Sequence, residues 1–147
     1  MEIAVLALGC FWGPEKKFSK IEGIVETEVG YCGGKVSGVT YREVCSGKTE
    51  HAEVVKLKFD AKKISYEKII EYFFEFHDPT TFNRQGPDIG TQYRSEIFYN
   101  TEEQKKISIS MIDKYNKKFS SKIVTQVSVI KNYTKAEEYH QKYLEKN

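Results

Sequence analysis

Six apolar residues in a row, Ile3 to Leu8 in "IAVLAL", stop at a glycine, and a proline follows soon after at position 14. So short a run with no polar residue in it reads as a strand buried on both faces. Gly9 breaks it. Pro14 suits the first turn of a helix, because its ring fixes φ and its missing N–H has no partner there in any case. The pattern predicts a strand, a sharp junction and a short helix over Pro14–Lys20. Cys10 falls at the junction, next to Phe11 and Trp12. The unpaired N–H groups and positive dipole end of a helix start favour a thiolate there. A free cysteine is equally at home as a small buried hydrophobe. On this stretch alone both readings stand.

The rest of the chain continues the alternation of strands and helices. Val25, Thr27, Val29 and Tyr31 alternate with Glu26 and Glu28, which is strand periodicity. "AEVVKLKFD", from Ala52, is another strand. Tyr66, Ile69, Ile70, Phe73 and His77 form the stripe of an amphipathic helix. A strand at Ser95–Tyr99 precedes a helix opened by "TEEQ", in which Thr101 and Gln104 make a capping-box pattern. A strand at Val124–Ile130 and a final helix over Lys135–Glu145 close the chain. The order β-α-β-β-α-β-α-β-α predicts an α+β fold, a two-layer sandwich of a mixed sheet and helices with a ferredoxin-like core. No linker, repeat or biased tract divides the sequence, so residues 1–147 are expected to form one domain.

Composition excludes several classes of function. The 23 basic and 21 acidic residues are interspersed and leave a net charge of +2, which asks for neither nucleic acid nor an anionic membrane. No apolar run approaches the roughly 20 residues of a membrane span. "MEIAVLALGC" carries an acid at position 2 and no basic n-region, unlike a signal peptide. The three cysteines, Cys10, Cys32 and Cys45, are an odd number, and the expectation is a reduced, cytoplasmic setting.

Two long loops carry the remaining chemistry. The first, Cys32 to His51, is rich in Gly, Ser and Thr, and loops of about this length are usually functional or disordered. Its "SGKT" is no phosphate loop, because the pattern needs glycine at position 42 and Arg42 stands there. "GYCGG" is not a dinucleotide fingerprint, and its glycines suit a tight turn. Cys32, Cys45 and His51 lack metal-ligand spacing, so no metal is expected. His77 and His140 read as structural or solvated. "TYREVCSGKTEHAE" supplies Tyr41, Arg42, Glu43, Cys45 and Glu53; "NRQGPDIGTQYRS" supplies Asp88, Gln92, Tyr93 and Arg94. A thiol that displaces oxygen from another atom needs an acid, and phenols can anchor that oxygen. Each residue alone is as easily an ordinary polar loop residue.

Taken together, "GCFWG", "TYREVCSGKT", "HAE", "HDPTT", "GTQYRS" and the closing "YHQKYL" resemble the A-type peptide methionine sulfoxide reductases, over essentially the whole chain. The resemblance implies a nucleophile at Cys10 and an apolar wall for the substrate's S-methyl group at Phe11 and Trp12. It implies that Glu53, Tyr41, Asp88 and Tyr93 surround the sulfoxide oxygen, with Glu53 as the acid. It further implies action on methionine S-sulfoxide, free or in proteins, without cofactor, and a Cys10 sulfenic acid that a second thiol must reduce. Cys45 matches an internal cysteine without a catalytic role.

Two departures stand out. Glu50 occupies a position that relatives commonly give to glycine. The chain ends at Asn147, where many relatives continue into a tail with a resolving cysteine. Cys32, in "YCGG", is the candidate resolving thiol within the chain. The geometric demands of a disulfide favour instead an external reductant, thioredoxin or glutaredoxin with glutathione. Two rival readings of the same thiol are a one-cysteine peroxidase or thiol transferase and a redox-sensing module that binds oxidised partners through Phe11 and Trp12. Neither asks for an acid and two phenols around one sulfur.

Overall fold

The first strand, β1 (Glu2–Leu8), is buried on both faces, as an apolar run without polar alternation requires. In the computed structural model, which describes residues 1–119 and 122–147, its even-numbered side chains Ala4, Leu6 and Leu8 face one layer and Val5 and Ala7 the other. Chain order then runs α1 (Trp12–Ser19), β2 (Ile24–Cys32), α2 (Tyr41–Cys45), β3 (Ala52–Phe59) and α3 (Tyr66–Phe76). A small hairpin, β4 (Arg84–Gln85) and β5 (Asp88–Ile89), leads into a 3-10 turn at Thr91–Tyr93. β6 (Ser95–Tyr99), α4 (Glu102–Asn116), β7 (Gln126–Val129) and β8 (Thr134–Lys135) follow. A second 3-10 turn at Glu138–His140 and α5 (Tyr143–Lys146) end the chain.

The main sheet has the order β7-β6-β1-β3-β2-β8. Its four central strands, β6-β1-β3-β2, are antiparallel neighbours in the arrangement of a split βαβ, ferredoxin-like core. β7 joins β6 in parallel and makes the sheet mixed. The expected α+β architecture is the one observed. One face of the sheet carries the main core, where Phe18 of α1, Ile69, Ile70, Phe73 and Phe74 of α3, and Met111 of α4 pack on Leu6, Val55 and Leu57. Burial of each such side chain is worth about 1.5–3 kcal/mol. Ser65 caps α3, its side chain accepting from the Lys68 N–H at 3.0 Å.

Three local expectations need correction. The Cys32–His51 loop is not structureless, because it holds α2, started by a full capping box. The Thr40 side chain accepts from the Glu43 N–H, and the Glu43 carboxylate accepts from the Thr40 N–H. At α4 only half of the expected box forms: Thr101 accepts from the Gln104 N–H, but the Gln104 amide reaches past it to Asn100. The expected helix over Lys135–Glu145 is reduced to the 3-10 turn at Glu138–His140 and the single turn of α5. There Gln141 acts as a missing strand partner, accepting from the Val29 N–H and donating to the Val29 and Ala136 carbonyls, each at 2.9 Å. Lys142 turns left-handed (φ 51°), and its N–H donates to the buried Glu15 carboxylate at 2.7 Å. Docking on β2 and α1 outweighs helix propensity in this segment.

Candidate active site

The end of β1 sets the site. Gly9 has φ 92°, and a Cβ there would lie 2.8 Å from the Gln85 side chain, so the β4–β5 hairpin closes on a position only glycine fills. The chain then turns through Cys10 into α1, and the Trp12 N–H points back at the Cys10 sulfur. The expected thiolate does not follow in the resting site. Burial pushes the Cys10 pKa up to about 11; the Trp12 N–H lowers it, while the Glu53 and Asp88 charges raise it further. Desolvation and two carboxylates outweigh one helix start.

Glu53 lies on β3, paired with Tyr31 of β2, on the helix-covered face of the sheet. It is 1% exposed. Its Oε1 accepts from the Phe11 N–H at 3.2 Å and its Oε2 from Gln92 Nε2 at 2.8 Å. Burial lifts its pKa to about 7 against those two hydrogen bonds, with Asp88 adding to the rise. A carboxyl at that value is protonated for a useful fraction of time near neutrality.

The two phenols come from separate loops. Tyr41 opens α2, and its N–H donates to Glu137 Oε2 at 2.8 Å, while the Tyr31 hydroxyl donates to Glu137 Oε1 at 2.7 Å. Tyr93 sits in the 3-10 turn. Burial raises both phenol pKa values, that of Tyr93 to about 12, and Glu53 raises each further. Asp88 acts electrostatically on Cys10, Glu53 and Tyr93 together. Five of the expected residues, Cys10, Tyr41, Glu53, Asp88 and Tyr93, therefore share one electrostatic neighbourhood. Both phenols remain neutral donors at physiological pH.

Phe11 is fully buried with Val29, Tyr31, Val44 and Ala136, and Trp12 packs partly buried beside it. Trp12 stacks on Tyr143 with ring centroids 3.8 Å apart and planes at 11°. Its Nε1–H donates to His140 Nδ1 at 3.0 Å. Of the two readings given for His140, structural or solvated, burial excludes the second; it is 1% exposed and faces the site's aromatics. His77 is structural as expected, bridging the Phe73 carbonyl and Ser95 Oγ.

Cys32 lies on the wrong side. It pairs with Ala52 one residue away from the Tyr31–Glu53 pair, so its side chain faces the opposite layer with Val5, Ala7, Val54 and Phe98. It is fully buried, and burial pushes its pKa up to about 11. As a resolving thiol for Cys10 it would have to cross the sheet. Cys45 is exposed on α2, with its sulfur 3.5 Å from Gln92 Nε2. His51 has both ring nitrogens engaged, by the Gly34 N–H and the Val36 carbonyl. Among the described residues no three His, Cys, Asp or Glu side chains group as metal ligands.

Two residues quoted in the motifs but given no role prove to organise the site. Gln92, buried in the 3-10 turn, ties the catalytic-type carboxyl to that turn. Arg94 donates from Nε to Glu96 at 2.7 Å, from Nη1 to the Thr91 carbonyl at 2.9 Å and from Nη2 to the Glu50 carbonyl at 3.0 Å. It staples the Tyr93 turn to the chain entering β3. Glu50 itself adopts φ 63°, a left-handed conformation that glycine takes more easily, so glycine suits this position better than the glutamate found there.

A buried acid over a thiol at a strand-to-helix turn, with two phenols on facing loops, defines a thiol oxidoreductase site rather than a metal or nucleotide site. The comparisons narrow the class. The sequence model of the family "Peptide methionine sulfoxide reductase" matches residues 2–147. A relative named peptide methionine sulfoxide reductase MsrA, from Pelagibacter ubique, is 68% identical over 146 residues, covering 99% of each chain. The reduced form of Mxr1 from Saccharomyces cerevisiae superposes with a TM-score of 0.95 at 42% identity, over 99% of this chain and 85% of that one. Mxr1 in complex with Trx2 gives 0.69 at 27% identity, over 97% and 84%. The chain belongs to the peptide methionine sulfoxide reductase family.

Proposed function

We propose that this chain reduces methionine S-sulfoxide, free or in peptides and proteins, to methionine, and that residues 1–147 are one catalytic domain working without metal or organic cofactor. The observation that carries the reading is Glu53, a fully buried carboxyl with a pKa near 7, in the same pocket as the Cys10 thiol.

Burial first, and the negative charge of Glu53 and Asp88 after it, hold the thiol protonated; the sulfoxide sulfur, partly positive, enters beside Cys10 and offsets that charge. Cys10, losing its proton, attacks that sulfur. Glu53 gives its proton to the oxygen, while Tyr41 and Tyr93 donate to the oxygen as negative charge builds there. Phe11 and Trp12 take the S-methyl group against their rings, and Asp88 orients the polar side. The balance is one thiol plus one sulfoxide giving a Cys10 sulfenic acid plus methionine, the thiol proton passing through Glu53 to the oxygen and Glu53 ending as the carboxylate. Two electrons from an external dithiol then restore Cys10 and release water.

Thioredoxin is the reductant favoured by the likeness to Mxr1, which is known in complex with Trx2. Glutathione with glutaredoxin is the alternative, and the inward-facing Cys32 supports an external route over an internal one. Three free cysteines, one of them fully buried, suit a reducing cytoplasm. Among the described residues no helix is long and apolar enough to cross a membrane.

The test is turnover of separated R and S epimers of a methionine sulfoxide peptide with dithiothreitol as reductant. Methionine released from the S epimer alone is the expected result. Release from neither epimer overturns the reading, and peroxide turnover in its place points to the peroxidase.

A further inference from the structure

One buried side-chain polar atom has no hydrogen-bond partner among the described residues, and it belongs to His140. Nε2 is enclosed without an acceptor, while Nδ1 accepts from the Trp12 indole at 3.0 Å. An indole N–H only donates, so Nδ1 must be unprotonated and the neutral ring carries its proton on Nε2. The His140 ring lies among aromatic rings, its centroid 4.4 Å from that of Tyr41, 5.2 Å from that of Phe11 and 4.0 Å from that of Tyr139. A buried imidazole left half satisfied is unusual. Here the satisfied half is the one that reaches Trp12. The indole has two fixings, this hydrogen bond and the stack on Tyr143, and both come from the C-terminal segment that Gln141 and Lys142 lock onto β2 and α1.

We propose that His140 is a positioning residue: neutral, it fixes the Trp12 indole as the wall that receives the substrate's S-methyl group, and protonated, it releases that wall and weakens substrate binding. The inference rests on the proposed role of Trp12. A proton on Nδ1 replaces the lone pair that accepts from the indole and sets two N–H groups against each other. Burial lowers the His140 pKa from its usual value, so the neutral form prevails at neutral pH, and the Glu137 carboxylate opposes that shift. Glu137 reaches His140 from the preceding residues of the same segment. From the other elements the titratable groups that face it are the phenol of Tyr41 on α2 and, in its own turn, that of Tyr139. Glu137 stays ionised over the range that matters: burial raises its pKa, but the Tyr41 N–H and Tyr31 hydroxyl outweigh that and leave it lowered.

The sign distinguishes His140 from the acid. Glu53, with a pKa near 7, weakens binding of a sulfoxide oxygen as pH rises, because the carboxylate no longer donates. His140 weakens binding as pH falls below its own value. The chain has a single tryptophan, so its emission reports Trp12 alone.

The experiment uses the full chain carrying Cys10→Ser, which binds but does not react, titrated with a methionine S-sulfoxide peptide between pH 5 and 7.5. Kd is expected to rise roughly threefold to tenfold toward pH 5, the worth of one hydrogen bond, in step with a change in Trp12 emission. Adding His140→Asn, which keeps an acceptor but does not titrate, is expected to abolish the acid-side rise, leaving the opposite Glu53 dependence, to flatten the emission curve and to hold Kd below that of His140→Phe. His140→Phe is expected to bind weakly at every pH. A Kd whose response to acid is the same in His140→Phe as in its parent, or a His140→Phe protein that binds like its parent, overturns the proposal even if His140→Asn fails to fold. Those results leave the reductase reading intact. Failure of the wild-type chain to turn over the peptide overturns that reading, and this inference with it.

Discussion

Cys10 and Cys32 are nearly the same thiol in two different places. Cys10 is half-buried and Cys32 fully buried, burial pushes both thiols to about 11, and Cys32 ends β2 while Cys10 follows the end of β1 in the same sheet. Their neighbours differ. Cys10 shares an electrostatic neighbourhood with a protonatable carboxyl and two phenols, on the helix-covered side. Cys32 has Val5, Ala7, Val54 and Phe98, on the other. The register makes the separation, since Tyr31 and Glu53 face one layer and Cys32 and Ala52, one step along, face the opposite one. On the proposed mechanism, resting thiol acidity does not mark the nucleophile in this fold. What marks it is an acid in reach and a substrate whose charge can draw the proton off.

The comparison breaks most plainly by removing either sulfur. Cys10→Ser is expected to lower single-turnover methionine release by roughly 10⁴-fold or more, the cost of deleting a nucleophile. Cys32→Ala is expected to leave the rate of that step unchanged. A Cys32 variant that loses single-turnover release would show that the far face takes part in the chemistry.

The next effect concerns the oxygen. Tyr93→Phe keeps the ring and removes one donor, and single-turnover release at saturating substrate is expected to fall roughly 10²-fold. Tyr41→Phe should act in the same direction. Unchanged rates in both would leave the phenols as packing.

A smaller effect sharpens the role of Gln92. Its amide donates to Glu53, which favours the carboxylate, so Gln92→Met is expected to raise the Glu53 pKa further above 7. The pH–rate profile should move alkaline by about one unit, tenfold in rate at a fixed pH on its rising limb. The smallest effect is on stability. Cys32→Ala trims a buried side chain and is expected to cost about 1 kcal/mol in urea unfolding, with the slope unchanged.

The core of the fold was legible in the sequence because its signals are local. An unbroken apolar run gave β1, strict alternation gave β2, and the Tyr66–His77 stripe gave α3. The C-terminal segment was not, because what decides it is distant: the Gln141 amide filling a strand position beside Val29 and the Glu15 carboxylate capping Lys142. The site divides in the same way. Cys10, Phe11 and Trp12 stand out at their junction, and the family resemblance singled out Tyr41, Glu53, Asp88 and Tyr93. His140 gave no such signal, since its meaning comes from an indole 128 positions away. The α2 helix is the exception, for the Thr40–Glu43 capping box was there to be read.

The central claim is that Glu53 is the proton donor to the sulfoxide. The most direct test is the second-order rate of single-turnover methionine release, from pH 5 to 9, for the wild type and Glu53→Gln. The productive pair, thiolate with protonated acid, holds one proton, the same count as thiol with carboxylate. The wild-type rate is therefore expected to rise through about pH 7, where the doubly protonated pair loses its first proton, and to level off above it. Glu53→Gln is expected to be slower by roughly 10²–10⁴-fold at neutral pH, with no plateau after pH 7 and a rate that climbs on as Cys10 alone ionises. A Glu53→Gln protein with the wild-type rate and the wild-type plateau would contradict the account.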